Sequence, residues 1–403
     1  MKLGATPEER ADRLVALIVV AGVLGSPFYQ TDATREQLLG TATVPPQATL
    51  AVLCLSLALA WRSTLRRGWL WADPAQLTWS DFDGSRPRTL TRRLVLSWAG
   101  RFALAGYATV VSGILIGLPD VPVACLLFCG VAALALAMAR RPPIRVETVA
   151  PLALAALGVA AVWVDVRWFW LCGGISAFAA IVLVRGEPLA ARAGRAELVR
   201  AFRERMVRRM AASFLDVWVL LPAGRPVSWG LAGRFVVVRY LLAGIAARGR
   251  SLGLPVFLAA AIAALHPVVP DVGGLWWTGL GGYLAVLPLA APVAQLYRVP
   301  GLRRWLGCTD RTLRLTAAGV LFLPVAGWFG VLLLVGVPFS APAALAVPLT
   351  AFAIVRTVTR GPIDFANVGL VSLEGVIVPA GLVVQLARGP ELLLLGLALL
   401  QLV

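Results

Sequence analysis

The sequence predicts an all-α fold, that of a polytopic helical membrane protein with about twelve transmembrane helices. Of the 403 residues, 59% are hydrophobic and only 14% are charged, whereas a soluble domain carries roughly 45–50% apolar and about 25% charged residues. The apolar residues form long runs, and short arginine-rich segments separate these runs. A helix needs roughly 20 apolar residues to cross a bilayer, so each run is a candidate span.

The predicted spans follow one another along the whole chain. In chain order they are 12–29, 46–61, 95–117, 121–139, 147–164, 168–184, 252–267, 275–296, 316–337, 341–356, 370–387 and 391–403. Several are shorter than a full crossing, and we expect the last to cross only in part. The first follows Arg10 and Arg13 as a signal peptide would, but no small-residue cleavage site precedes Tyr29. We therefore interpret it as a retained span.

The arginines predict the orientation of the spans. One alternating set of connections holds 34 of the 37 basic residues, and the opposite side keeps only Arg35, Arg167 and Arg388. The basic set comprises 1–13, 62–101, 140–145, 185–250, 298–314 and 356–360. Because basic connections stay in the cytoplasm, we expect both termini inside, in the cytoplasmic membrane of a bacterium. The net charge of +17 then reflects topology and attraction to membrane lipid, and we expect no nucleic acid partner.

Two residue types are almost missing, which excludes several chemistries. Lys2 is the only lysine and His266 the only histidine. A G-x-x-x-x-G-K-[ST] phosphate loop needs an internal lysine, and a multi-histidine zinc site needs more than one histidine. The five cysteines form no C-x-x-C pair. We therefore expect no catalytic residue, no cofactor site and no metal site in this chain, and no enzymatic activity of its own.

Two pairs of similar short segments suggest an internal repeat. Arg88-Thr89-Leu90 precedes the third span, and Arg311-Thr312-Leu313 precedes the ninth. A basic, proline-containing turn joins the fourth span to the fifth at 140–144, and another joins the tenth to the eleventh at 360–363. We predict two parallel six-helix repeats, 1–186 and 251–403, separated by a cytoplasmic amphipathic connector at 187–250.

The connector carries an apolar stripe within a strongly basic segment. The stripe residues recur at i+4 spacing: Leu198, Phe202, Met206, Met210 and Phe214. This pattern predicts an amphipathic helix lying on the membrane or on a partner protein, with a solvated basic helix as the alternative. A second helix is expected from an N-cap at Ser228 to about Ala247.

Each half also has a charged loop with tryptophan between its second and third spans. Asp73 followed by Pro74 predicts a helix start, because proline is favoured at the first helical position. The short helix would carry Leu77 with Trp79 and Phe82, and would break at Gly84 and Pro87. The equivalent in the second half is the segment 299–311.

With these segments the chain resembles the permease subunits of bacterial ABC exporters, in the fused form with two six-helix repeats. In that family an amphipathic connecting helix precedes the first span, a coupling helix between the second and third spans docks on the ATPase, and an outer turn separates the last two spans. The second half is similar in its order: connecting helix 228–247, coupling helix 299–311, and turn Arg388-Gly389-Pro390. The first half matches less fully, with a connecting segment of about 1–13 and a coupling loop at 63–93.

The resemblance implies transport of a hydrophobic or amphipathic substrate, such as a lipid, a peptide or an antibiotic. ATP and Mg²⁺ would bind to separate ATPase subunits, two for each permease. The resemblance also allows further membrane or extracytoplasmic subunits in the complex. The residues that would contact the ATPase are Asp73, Leu77, Trp79, Asp81, Arg86, Arg88, Arg303, Arg304, Trp305, Asp310 and Arg311. The alternative is that these residues only anchor the spans at the membrane interface, where Trp and Arg are common.

Three other functions stay open at this point. An ion-coupled secondary transporter would need buried acidic or histidine side chains, which the predicted spans lack at their centres. A polyprenol-dependent glycosyltransferase would need acidic residues in its outer loops, and the available ones, such as Asp120 and Asp271, are scattered. The third alternative is a purely structural membrane scaffold.

Overall fold

The computed structural model describes residues 47–117, 119–144, 147–161, 163–185, 188–213, 235–267, 272–361, 370–373, 376–379 and 387–402, with scattered positions at 21–36, 224, 227, 384 and 385. The chain divides into two compact units. The first comprises 1–195 and 267–271, and the second comprises 196–266 and 272–403. The division falls inside the predicted connector, at Arg195.

The first unit is built from helices. They are α1 (Gln47–Leu65), α2 (Pro74–Phe82), α3 (Arg86–Ile116), α4 (Val121–Ala139), α5 (Val149–Ala160), α6 (Arg167–Val184) and the single turn α7 (Leu189–Arg192). The connector helix α8 (Arg195–Ser213) begins at the boundary between the units. The bounds of α4 agree with those of the predicted span 121–139.

The second unit contains helices and one short β-hairpin. The helices are α9 (Val236–Ala246), α10 (Gly253–Leu265), α11 (Gly274–Arg298), α12 (Pro300–Trp305), α13 (Asp310–Val335), α14 (Ala341–Val358) and α15 (Pro390–Gln401). A 3₁₀ turn, Gly249–Leu252, joins α9 to α10. Helix α11 changes winding along its length, with a π-helical turn at Trp277–Gly281 and a 3₁₀ turn at Leu287–Ala290.

Seven helices in the described residues are long and apolar enough to cross a membrane: α1, α3, α4, α6, α11, α13 and α14. They coincide with seven of the predicted spans and agree with the predicted helical, multi-pass character of the chain. In three further predicted spans, 147–164, 252–267 and 391–403, the helices α5, α10 and α15 have only 12, 13 and 12 residues. At 1.5 Å per residue such a helix covers about 20 Å, less than the roughly 30 Å hydrocarbon core.

The predicted span 370–387 is wrong as a continuous helix. Strands β1 (Leu370–Leu373) and β2 (Val376–Pro379) pair antiparallel, with Val371 opposite Val378. The physical reason is local, because this stretch is rich in β-branched residues and its sequence contains glycine between the two paired segments, which favours a hairpin over a helix. The predicted span 12–29, the N-cap Ser228 and the stripe residue Phe214 lie wholly or largely outside the described residues.

One inner helix organises each unit. In the most apolar 18-residue stretch of α1, 72% of the residues are buried, and in that of α11 the share is 78%. The corresponding shares are only 22% in α3 and 33% in α13. Helix α1 packs against α3, α4 and α5, while α11 packs against α13 and α14. The largest apolar cluster of the second unit includes Leu313, Leu321 and Trp328 of α13 together with Ile354 of α14. The long helices α3 and α13 therefore lie at the periphery of their own units.

Helices α4 and α6 approach closely because glycines face each other between them. A Cβ added at Gly130 would lie 2.4 Å from the carbonyl oxygen of Gly173, and one added at Gly173 would lie 3.0 Å from the backbone nitrogen of Leu127. Small residues of this kind let membrane helices pack backbone to backbone.

We expect Gly173→Ala to destabilise the protein, because the new methyl group would force α4 and α6 apart. Overpacking costs about 1–3 kcal/mol, which would appear as a lower melting temperature in detergent. The neighbouring Gly174→Ala is the matched control, since nothing lies within 4 Å of a Cβ there. Equal melting temperatures for the two variants would contradict the packing described.

Candidate functional site

Helix α2 starts as its sequence predicts. The Asp73 carboxylate accepts a hydrogen bond of 2.9 Å from the backbone N–H of Ala75, and Pro74 occupies the first turn. The helix ends before Gly84, whose φ of +66° is readily adopted only by glycine. Pro87 was expected to continue the break, but it lies in the first turn of α3. The correction follows from the tolerance of a helix N-terminus for proline, which has no N–H to lose there.

The two faces of α2 differ sharply in exposure. Leu77 is fully buried, whereas Trp79 is 74% and Phe82 is 89% exposed. One leucine therefore seats the helix on the first unit, and two aromatic rings project from it. Exposed aromatic rings are enriched where a protein meets a partner or a membrane interface.

An ion pair fixes α2 to the helix that follows. Asp81 and Arg86, the first residue of α3, are 3.0 Å apart. Arg195 reaches the same carboxylate at 3.5 Å and donates to the Thr78 hydroxyl at 2.9 Å. Asp81 and Arg86 were predicted to contact a partner, but their charges are engaged within the chain. Arg88 is exposed and makes no ion pair with the described residues.

A cleft of about 300 Å³ lies between α2 and the start of α3. Its lining combines side chains of both helices, including Gln76, Trp79, Asp83, Arg86 and Arg93. The cleft is open, and a protruding side chain of another molecule would fit in it.

Helix α12 is the counterpart in the second unit. It covers six residues of the predicted segment 299–311. Leu302 and Leu306 pack against the apolar cluster of that unit, while Arg304 is exposed and Trp305 is 75% exposed. As in α2, leucine seats the helix and tryptophan projects from it.

An ion pair also fixes α12 to the next long helix. Arg303 pairs with Asp310, the first residue of α13, and its guanidinium carbon lies 5.9 Å from the centroid of the Tyr297 ring. Thr309 caps α13 by accepting a hydrogen bond of 3.2 Å from the N–H of Thr312. Arg311, on the first turn of α13, is exposed. Each unit thus pairs its short helix with the first residue of the following long helix, with the signs of the charges exchanged.

A second ion pair, which was not predicted from the sequence, lies near α2. Arg67, in the turn after α1, donates two hydrogen bonds of 2.8 Å to the two carboxylate oxygens of Glu147. Both side chains are only 12% exposed, and Arg67 adopts a left-handed φ of +51°. The hydrogen bonds from Arg67 lower the pKa of Glu147, outweighing the effect of burial, which raises it. The one signal in the sequence is that Glu147 is an acidic residue just after the basic connection 140–145.

The predicted stripe of the connector lies on α8, and its burial falls along the helix. Leu198 is fully buried, Phe202 and Met206 are half-buried, and Met210 is 58% exposed. Arg208 forms an exposed i,i+4 pair of 3.4 Å with Glu204.

Comparison with known proteins gives no relative: no family model, no curated protein and no solved structure matches this chain. The two short helices and their surroundings are the features of the described residues that bear on function.

We expect Glu147→Gln to lower the melting temperature at pH 7, because it removes a paired, largely buried carboxylate; loss of such hydrogen bonds costs about 1–3 kcal/mol. Since the folded-state pKa is lowered, the contribution of Glu147 is complete above the ordinary value of 4.5. It is lost as the pH falls below that value through the folded-state pKa. Melting curves from pH 7 downward test this expectation.

The control variant is Glu204→Gln, which breaks the exposed pair with Arg208 and should change stability by less than about 1 kcal/mol. A difference between wild type and Glu147→Gln that persists undiminished at the lowest pH would contradict the assignment.

Proposed function

We propose that the chain is the transmembrane permease subunit of an ABC-type exporter, with its spans in two parallel repeats. Separate ATPase subunits, two per permease, would hydrolyse ATP with Mg²⁺, and helices α2 and α12 would be their docking elements on the cytoplasmic side. The second unit would use α9 as its connecting helix.

One observation carries this proposal. Both units contain a short helix with a leucine packed against its own unit, an exposed tryptophan and an ion pair to the first residue of the next long helix. In both units that short helix also stands in the same order, after the inner helix and before two long apolar helices: α1–α4 and α11–α14. A helix that only anchors a span would also use a projecting tryptophan, but it needs no ion pair to the next span.

The arrangement supports a mechanical role for the short helices. A force applied by a partner to Trp79 or Trp305 would pass through the ion pair to the N-terminal end of α3 or α13. These helices have 31 and 26 residues, respectively, so a movement at the end would be transmitted along most of the membrane thickness. The partner would bias the permease between two states by binding one better than the other.

The composition supports ATP hydrolysis by a separate subunit and transport by this chain. Because Lys2 is the only lysine, a phosphate-binding loop of the Walker type cannot be built within the described helices. Apart from the largely buried Arg67–Glu147 pair, the buried polar side chains that the described residues contain are mainly serines and threonines. Such spans suit a cargo with a large apolar part, and we propose a lipid, an amphipathic peptide or an apolar antibiotic.

We expect the double variant Trp79→Ala/Trp305→Ala to lose its ATPase partner. Truncating an exposed ring that becomes central to an interface costs about 2 kcal/mol or more in binding, a loss of at least tenfold in affinity for each ring. The measurement is purification of the tagged protein from membranes of its host, with azido-ATP labelling of any nucleotide-binding polypeptide that accompanies it. The melting temperature should stay unchanged, because both rings are exposed.

The matched control is Trp163→Ala, which removes a ring that is 70% exposed outside α2 and α12. It should retain the labelled polypeptide at the wild-type level. If wild type brings down no labelled polypeptide, or if the double variant and the control retain it equally, the proposal is wrong.

A further inference from the structure

An open groove of about 410 Å³ lies between α4 and α6 of the first unit. Helix α4 lines it from Leu126 to Arg140, and α6 lines it from Ala177 to Val184. Every lining residue except Arg140 is apolar, and many are glycine or alanine, which leave space beside their larger neighbours. At 1.5 Å per residue, the stretch from Leu126 to Arg140 covers about 21 Å, which is enough to cross one leaflet of a hydrocarbon core of roughly 30 Å.

The groove belongs to the part of the first unit that is suited to face lipid. Both α4 and α6 are long and apolar enough to cross a membrane. On one side of the groove, Ile181 is 68% exposed and Val184 is 55% exposed. In a bilayer such a concave apolar surface is filled by acyl chains or by another helix.

The end of the groove that is predicted to be cytoplasmic is basic. Arg140 is half-buried and lines the groove itself, while Arg185 is exposed at the end of α6. The Arg141 guanidinium donates to the Arg185 carbonyl oxygen, so the ends of α4 and α6 lie side by side. In the sequence, the segments 140–145 and 185–187 hold four arginines and one glutamate. An excess of positive charge therefore remains at this end of the groove.

No other acidic group nearby in the sequence offsets that excess. Glu147, the next acidic residue after 140–145, already accepts both of its hydrogen bonds of 2.8 Å from Arg67. Guanidinium groups only donate hydrogen bonds, so they call for a ligand with acceptor oxygens and negative charge. Basic pockets between membrane helices on the cytoplasmic side are suited to phospholipid headgroups.

We propose that the groove between α4 and α6 binds one acyl chain of an anionic phospholipid, with Arg140 and Arg185 at its phosphate group. The apolar lining accounts for the chain, and the basic end accounts for the choice of an anionic lipid. A zwitterionic lipid would fill the groove equally well but would leave the excess positive charge uncompensated. This site does not depend on the proposed ATPase partner.

The test compares two lipids on delipidated full-length protein in a neutral detergent. Phosphatidylglycerol, which is anionic, and phosphatidylcholine, which is zwitterionic, are added with the same acyl chains. We expect phosphatidylglycerol to raise the melting temperature by about 2 °C or more over phosphatidylcholine, because a ligand that binds only the folded state stabilises it. Sodium phosphate should have no more effect than sodium chloride at equal ionic strength, since it has no chain to fill the groove.

Two variants remove the two parts of the proposed site. Arg140→Gln removes the charge at the end of the groove, and Ala133→Phe fills the groove from an exposed position on α4. Each should lose most of the shift caused by phosphatidylglycerol. The matched controls, Arg92→Gln and Ala103→Phe, change exposed residues of α3 that do not line the groove, and they should keep it.

Several results would overturn the site. Equal melting temperatures in the two lipids would remove the preference for an anionic lipid, and equal shifts in variants and controls would reflect general charge attraction. A shift that survives in Ala133→Phe would place the lipid outside the groove, and one matched by sodium phosphate would assign the arginines to a soluble anion. An oligomer that Ala133→Phe dissociates would make the groove an interface between copies of the chain. If one variant fails to fold, the other variant and its control still decide.

Discussion

An ion pair that links a short helix to the first residue of the next long helix is the interaction on which this account depends. Helices of nine and six residues are not stable alone, because helix nucleation is costly. Leu77 is buried in the first unit, and Leu302 and Leu306 pack against the apolar cluster of the second. The pairs Asp81–Arg86 and Arg303–Asp310 add a second point of attachment between each short helix and the long helix that follows. A partly exposed ion pair contributes only about 1 kcal/mol to stability, but two points of attachment define the orientation of a short helix better than one.

Local signals in the sequence were sufficient for several elements. The helix start at Asp73-Pro74 and the bounds of α4 follow from capping chemistry and from an unbroken apolar run. The run at 370–387 was misassigned because hydropathy alone does not distinguish an apolar helix from an apolar hairpin, and its β-branched residues carried the information instead. The short helices α5, α10 and α15 show the same limit, since an apolar run gives no certain helix ends.

The charged residues could be chosen from the sequence, but their partners could not. Asp81 and Arg86 appeared as partner-contacting groups because charge in a connecting loop suggests an interface. Their mutual distance, and the approach of Arg195, depend on how the chain folds back. The Arg67–Glu147 pair joins residues far apart in sequence, which no single-sequence pattern reveals. The arginines of the basic connections therefore differ in their contacts: Arg86 pairs with Asp81 of α2, whereas Arg67 pairs with Glu147.

The most direct test of the proposed coupling is the ATP hydrolysis of the proposed ATPase subunit, measured in complex with variants of the Arg303–Asp310 pair. We expect Arg303→Asp and Asp310→Arg, each alone, to retain the ATPase but to lose the stimulation of ATP hydrolysis by the permease, since α12 would no longer be fixed to α13. The exchanged pair, Arg303→Asp with Asp310→Arg, should recover most of it, less the cost of about 0.3–1 kcal/mol for arginine at a helix N-terminus. Full stimulation in both single variants, or a wild-type chain that binds no ATPase, would contradict the account.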